Sequence, residues 1–182
     1  MMVENCELEN YTLELDALTN RQLSIYLYRN IQNIDELHKK LLNKELPCCI
    51  VKANLILDPF QIVIAANKAA LNEKYGQMVA RNLYTEIIYC LSISTNISQS
   101  LAAFGISKDT ANVLVILIHD AQEKESMEKL VFDCIEGTRI PISRLSDFSD
   151  ISLIKKTYKI CNEESNIPSL LDSIVSRISE KI

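Results

Sequence analysis

His119 and Asp120 stand side by side at the end of an aliphatic run, "NVLVILIHD", and are the nearest approach in this chain to an acid/base pair. General acid–base catalysis needs two groups that converge on one reacting atom. Neighbours on a strand point to opposite faces, so these two do not naturally converge. His119 therefore reads as a surface or capping residue, and His38, at the edge of a helical stripe, as a surface one. The six cysteines are Cys6, Cys48, Cys49, Cys90, Cys134 and Cys161, with no C-x-x-C pair and neither histidine at ligand spacing. Structural zinc sites bring paired ligands a few residues apart. These thiols are read as small core hydrophobes, and no metal is expected. Gly76, Gly105 and Gly137 are too scattered for a phosphate-cradling loop or a dinucleotide fingerprint, so no cofactor is expected either. What remains is a binding protein rather than an enzyme.

Bulk properties narrow the partner. The 182 residues carry 24 acidic and 19 basic side chains, a formal charge of −5, which argues against a protein that chiefly coats nucleic acid. With 48% hydrophobic residues, the chain has enough apolar content for a core of its own. The opening "MMVENCELEN" is acidic and lacks the apolar stretch of a secretory leader. No apolar run approaches the roughly 20 residues that cross a bilayer. The expectation is a soluble intracellular chain with no membrane partner.

The elements that must position any site follow from periodicity. In "YTLELDAL", Tyr11, Leu13 and Leu15 alternate with Thr12, Glu14 and Asp16; "QLSIYLYRN" alternates through Leu23, Ile25 and Leu27. With "TNR" between them, these predict an antiparallel hairpin with one wet face. Tyr26 and Tyr28 lie on its polar side, where they could stack on bases or cover the sheet against a helix. Asn33 with Glu36 has the form of a capping box, opening a helix whose inner stripe is Ile34, Leu37 and Leu41. "CCIV" is a short strand, "NLYTEIIYCLSI" a helix, and Asn96 with Gln99 caps the next helix, which Gly105 is expected to end in a left-handed conformation. "NVLVILIH", aliphatic on both faces, should be the central strand. Helices through "MEKLVFDCIEG", "DISLIKKTY" and "NIPSLLDSIVSRISEK" follow, with a short extended "TRIPI" after the first. Strands and helices do not alternate regularly. This predicts an α+β fold, with a small, mainly antiparallel sheet packed with about seven helices. No linker or repeat interrupts residues 1–182, so one compact domain is expected, with residues 1–9 poorly ordered.

Two helices hold most of the information about partners. In "DPFQIVIAANKAA", Asp58 is a cap and Pro59 sits at the first helical position. Phe60, Ile64, Leu71 and Tyr75 share one face, beside Val63 and Ala70; Ile62, Ala65, Ala66 and Ala69 cover much of the rest. Gln61, Lys68 and Asn72 form a polar wedge. Such a helix belongs in the middle of a protein, with the wedge as a narrow strip reaching solvent or a partner. Asn67 lies at the angle of Phe60, Val63 and Leu71, so its amide must be hydrogen-bonded, either bracing the fold or facing a ligand. In the last helix Ile167, Leu170, Leu171, Ile174, Val175 and Ile178 span an arc of roughly 140°. Burying six such side chains is worth roughly 9–18 kcal/mol gross, so they must cover the protein's own core or a partner. On residues alone, its own core is the safer assignment. Lys68, Lys74, Arg81, Lys155 and Lys156 read as a solvated face, or as salt-sensitive contacts to RNA phosphates if some of them converge.

At "ILDPFQIVIAANKA", "RNLYTEIIYCLS", "NISQSLAAFGIS" and "LLDSIVSRIS" the sequence closely resembles the TPRKB family, the small PRPK-binding subunits of the KEOPS (EKC) complex. The likeness spans about Leu23 to Glu180, and the first three stretches keep the family's order and approximate spacing. The first twenty residues and "QEKESMEKL" from Gln122 look less familiar, and no family role is carried onto them. The resemblance implies an α+β, non-catalytic regulatory subunit. It would bind the PRPK kinase directly and the catalytic and other KEOPS subunits indirectly, in cytoplasm and nucleus. It would support threonylcarbamoyl modification of the adenosine next to the anticodon in tRNAs that read codons beginning with A. The alternative it implies is an RNA-binding module that holds the single-stranded acceptor end of tRNA. Under the first reading, Leu170, Ile174 and Ile178 at the edges of the last stripe would face the kinase. Under the second, Asn67, Lys68 and Arg81 would face RNA, and binding by this acidic chain alone would be weak.

Overall fold

β1 (Tyr11–Glu14) and β2 (Gln22–Arg29) form the hairpin that the alternation predicts, with Tyr11 opposite Ile25 and Glu14 opposite Gln22. The computed structural model describes residues 11–161 and 166–181; the segment 1–9, expected to be poorly ordered, lies outside the described residues. β4 (Val113–His119) is the central strand as expected, lying between β2 and β3 (Cys49–Lys52). β5 (Thr138–Ile140) pairs with Leu27–Arg29 of β2, extending the edge that β1 begins. Every pairing is antiparallel.

Around this sheet pack α1 (Ile34–Leu42), α2 (Pro59–Lys74), α3 (Leu83–Leu91), α4 (Ile97–Phe104), α5 (Lys124–Phe132), α6 (Ile151–Tyr158) and α7 (Ile167–Glu180). Short 3-10 turns cover Ala53–Leu55 and Ile142–Asp147. The architecture is α+β in a single compact domain. Leu23, Ile25, Leu27, Val51, Leu114, Ile116 and Ile118 turn one face of the sheet toward α2, α3, α6 and α7 in the larger core. Tyr26, Tyr28, Ile50, Val113, Val115 and Leu117 turn the other face toward Leu37 of α1 and Val131 of α5.

That second core corrects the expectation of a wet hairpin face, because α5 covers β2. The Phe132 ring meets Tyr26 edge-on at 4.8 Å, and the Arg139 guanidinium lies 4.5 Å over the Tyr26 ring. The Tyr26 hydroxyl donates to Glu128. Burial pushes the Tyr28 hydroxyl up to about 12. The two tyrosines thus cover the sheet against a helix.

Other local expectations also change. Asn33 does not close a capping box on α1. Its amide bridges to another segment, donating to Cys134 O at 2.8 Å and accepting from Glu136 N at 3.0 Å. Asn96 does cap α4, accepting from Gln99 N at 3.1 Å. Gly105 ends α4 in an extended conformation (φ −67°, ψ 162°), not a left-handed one. Glycine is needed there for space: a Cβ would lie 2.5 Å from the Leu101 carbonyl oxygen, and the residue bridges Val51 of β3.

Candidate partner-binding surface

α2 has the capped start expected of it, with Asp58 Oδ1 accepting from Phe60 N at 2.8 Å, but its faces are reversed from the pattern. Gln61, Ile62, Ala65, Ala66, Ala69 and Ala70 are buried, whereas Phe60 is 43% and Tyr75 55% exposed, with Ile64 and Leu71 half-buried between them. The alanines make the inner side narrow enough for α2 to lie close against its neighbours. The polar wedge is an internal seam. Gln61 donates to Leu55 O at 3.2 Å and to the Tyr158 hydroxyl at 2.7 Å, and it accepts from Leu57 N at 3.1 Å. Asn72 donates to Glu86 Oε1 at 3.0 Å, and Glu86 Oε2 accepts from Ala80 N at 2.7 Å. The Lys68 ammonium donates to Ile178 O at 3.1 Å, Ser179 O at 3.4 Å and Lys181 O. These are the free carbonyls at the end of α7, where a cation is favoured.

α7 is anchored there a second time. Lys181 donates to Ser92 O at 2.9 Å, Ser94 O at 2.6 Å and Tyr89 O, with its ammonium 3.3 Å from the centre of the Tyr89 ring. Burial pulls this lysine down to about 8. Leu170, Ile174 and Ile178, expected to face outward, are all buried in the larger core. They are the inner half of the aliphatic arc. The half left open is Ile167, 64% exposed, with Leu171 and Val175 half-buried. Arg177, on the opposite flank, donates to Lys159 O at 3.4 Å, so Leu171 and Val175 face away from α6. The arc was legible in the sequence, but nothing in it fixed which half points inward.

Two open apolar strips therefore run along neighbouring helices. On α2, Lys68 lies about 40° around the helix from Ile64. Because Lys68 grips the end of α7, the outer strip of α2 borders α7.

The residues expected to face RNA are not gathered in one place. Asn67 Oδ1 accepts from Asp16 N at 2.8 Å, bracing the β1–β2 turn, and Lys68 is engaged with α7. Arg81 is exposed on a cleft of about 470 Å³ that Arg21, Glu73, Met78, Tyr84 and His119 also line. Arg21 is neutralised there by Glu73 at 2.6 Å.

His119 is buried rather than at the surface. Its Nδ1 lies 3.0 Å from Asp120 O and its Nε2 2.8 Å from Ser24 Oγ. A carbonyl oxygen only accepts, which places the ring hydrogen on Nδ1. Ser24 Oγ in turn lies 2.9 Å from Thr12 Oγ1, which accepts from Lys124 at 3.1 Å. A hydroxyl beside an imidazole is the beginning of an activated nucleophile. Ser24 and His119 are both buried, and the chain of bonds ties β1, β2, β4 and α5 together.

His38 is exposed, as expected. Cys48, Cys49 and Cys90 are buried, and burial pushes the Cys48 and Cys90 thiols up to about 12. Cys161 is exposed, against the core assignment, and Cys6 lies outside the described residues. Among the described residues no group of His, Cys, Asp and Glu is arranged to hold a metal, and no helix is long and apolar enough to cross a membrane.

Comparison with known proteins gives this surface a context. The family described as kinase binding protein CGI-121 matches residues 28–181. The EKC/KEOPS complex subunit TPRKB of Danio rerio is 33% identical over 170 residues, which cover 93% of this chain and 97% of that protein. The EKC/KEOPS complex subunit CGI121 of Yarrowia lipolytica is 28% identical over 145 residues, 78% of this chain and 81% of that protein. Its counterpart in Aspergillus fumigatus is 32% identical over 142 residues, 75% of each.

Proposed function

The chain belongs to the CGI-121 family of kinase-binding proteins, and from that premise we propose that it is a non-catalytic regulatory subunit of the KEOPS/EKC complex. It binds the PRPK kinase directly and meets the catalytic and other subunits indirectly. In that assembly, in cytoplasm and nucleus, it supports threonylcarbamoyl modification of the adenosine next to the anticodon in tRNAs reading codons that begin with A.

The observation that carries this reading is the pair of open strips, Phe60, Ile64, Leu71 and Tyr75 on α2 with Ile167, Leu171 and Val175 on α7. A helix that buries a glutamine and exposes a phenylalanine is built to be covered on its outer side. Completing the burial of seven half-covered side chains is worth roughly 5–10 kcal/mol gross. A charge placed in the strips would have to be desolvated against apolar surface when a partner covers them, so one such substitution should decide whether the complex forms.

The test is calorimetry of the purified chain with PRPK, wild type against Leu171→Arg, with circular dichroism on both. The expected result is micromolar or tighter binding by wild type and its loss in a folded variant. No binding by wild type, or unchanged binding by the variant, would overturn the assignment.

A weaker RNA reading rests on Arg81, whose exposed guanidinium is not held by any neighbour among the described residues. If it touches phosphate, Arg81→Glu should lower the affinity for tRNA and flatten its dependence on salt.

A further inference from the structure

We propose that a second docking site lies between α1, the edge strand β3, α3 and α4, and that it receives an apolar side chain from an acidic segment of a partner protein. The cavity holds about 400 Å³, within the usual range of roughly 300–1,000 Å³ for ligand sites. Its apolar lining comes from Leu41 and the loop after α1, from Cys48 just before β3 and Ile50 within it, and from Ile88 and Ile106. Leu42 of α1, 68% exposed, and Leu101 of α4, 39% exposed, stand among its lining residues. A single exposed leucine needs no explanation, but two at one apolar cavity form an uncovered patch. No residue of the strips on α2 and α7 lines it, so the site stands apart from the surface proposed for the kinase.

Charge selects the occupant. The ionisable nitrogen groups lining the cavity are His38 and Lys44, and no carboxylate lines it. The Arg81 cleft contains Glu73, Asp120 and Glu123, and the groove beside Arg177 contains Asp172 and Glu180. Most buried or bridging lysines already serve the fold: Lys52 donates to Ala102 O, Lys68 to the end of α7, and Lys124 to Thr12. Lys44 has no such engagement among the described residues. It sits just past α1 with φ +59°, held there by its own N–H to Leu41 O at 3.1 Å and by Glu45 N to Lys40 O at 2.9 Å. The neighbouring Glu45 carboxylate is taken by the Asn43 amide at 3.0 Å. The capped N-terminus of α3 adds partial positive charge, since Asn82 and Thr85 also line the cavity. An apolar floor with Lys44 at its edge and no carboxylate in its lining fits an apolar side chain with Asp or Glu beside it. A single-stranded nucleic acid fits less well. Tyr84 and the His38 imidazole are the only aromatic rings on the lining, and the single Lys44 ammonium offers little for several phosphates.

The probes are two fluorescein-labelled peptides with the same Leu-Phe centre, one flanked by Asp and Glu and the other by Lys, together with a labelled oligouridine. Each is titrated into the full chain by anisotropy, and bound species are mapped by methyl NMR. The acid-flanked peptide should bind and shift the methyls of Ile88, Leu101 and Ile106, and Lys44→Glu should weaken it about tenfold. Leu101→Asp, an exposed substitution that spares the core, should abolish the methyl shifts at Ile88 and Ile106. The proposal fails if the acid-flanked peptide does not bind, if both peptides bind alike, or if the oligouridine is what shifts these methyls.

Discussion

α2 and α7 pack against each other and dispose of their polar residues in opposite ways. In α7, Leu170, Ile174 and Ile178 are inside while Ser169, Asp172 and Ser176 face water, as an amphipathic wheel predicts. In α2, Gln61 is inside and Phe60 and Tyr75 are outside. The difference lies in what the polar groups meet. Gln61 finds two acceptors and a donor within 3.2 Å, Asn72 finds Glu86, and Lys68 finds the open carbonyls of α7. A polar side chain is excluded from an interior only when nothing there can satisfy it. Once Gln61 is satisfied inside and Lys68 and Asn72 are satisfied at the margin of the core, the large apolar residues of α2 are displaced outward, and the protein gains a face that its own fold does not cover.

The sharpest way to break this comparison is to put charge into α7. Ile174→Arg would bury an unpaired guanidinium and should cost about 4–5 kcal/mol or more, enough to unfold a domain of ordinary stability. Thermal melting followed by circular dichroism checks it, and a folded variant would mean that α7 is not held as described. Next is Gln61→Leu, which swaps polar for apolar on a helix that already looks apolar. Despite the gain in hydrophobicity it should lose about 2–3 kcal/mol in urea unfolding, because Leu57 N–H and Leu55 C=O are left without partners. A stabilised variant would show that the seam is dispensable.

The smallest effect concerns Cys90 on α3, in the core both helices help to form. Folded, its thiol keeps its proton to about 12, against 9.0 for an ordinary one. The unfolded chain therefore releases this proton first, and the contribution of Cys90 is whole below pH 9 and declines as pH rises from there toward 12. Cys90→Ala should flatten that decline in a series of urea titrations while leaving its form below pH 9 unchanged.

Much of the fold was legible because its periodicities are clean. The hairpin alternation, the doubly aliphatic "NVLVILIH" and the Asp58–Pro59 start each have one structural solution. The faces of α2 were not legible, because the partners that satisfy Gln61, Lys68 and Asn72 come from Tyr158, the end of α7 and Glu86, distant in sequence. The same holds for His119, whose burial depends on Ser24 across the sheet, and for Asn33, whose amide is claimed by residues 134 and 136. The six aliphatics of α7 were seen as one arc. Dividing that arc into a buried and an open half required the position of α2.

The most direct measurement is hydrogen–deuterium exchange of the chain with and without PRPK. If the uncovered strips are the interface, exchange slows along α2 from Phe60 to Tyr75 and along α7 from Ile167 to Val175, while α1 and α5 stay as they were. Slowing confined to α1, α5 or the sheet edges, with α2 and α7 unchanged, would contradict the account.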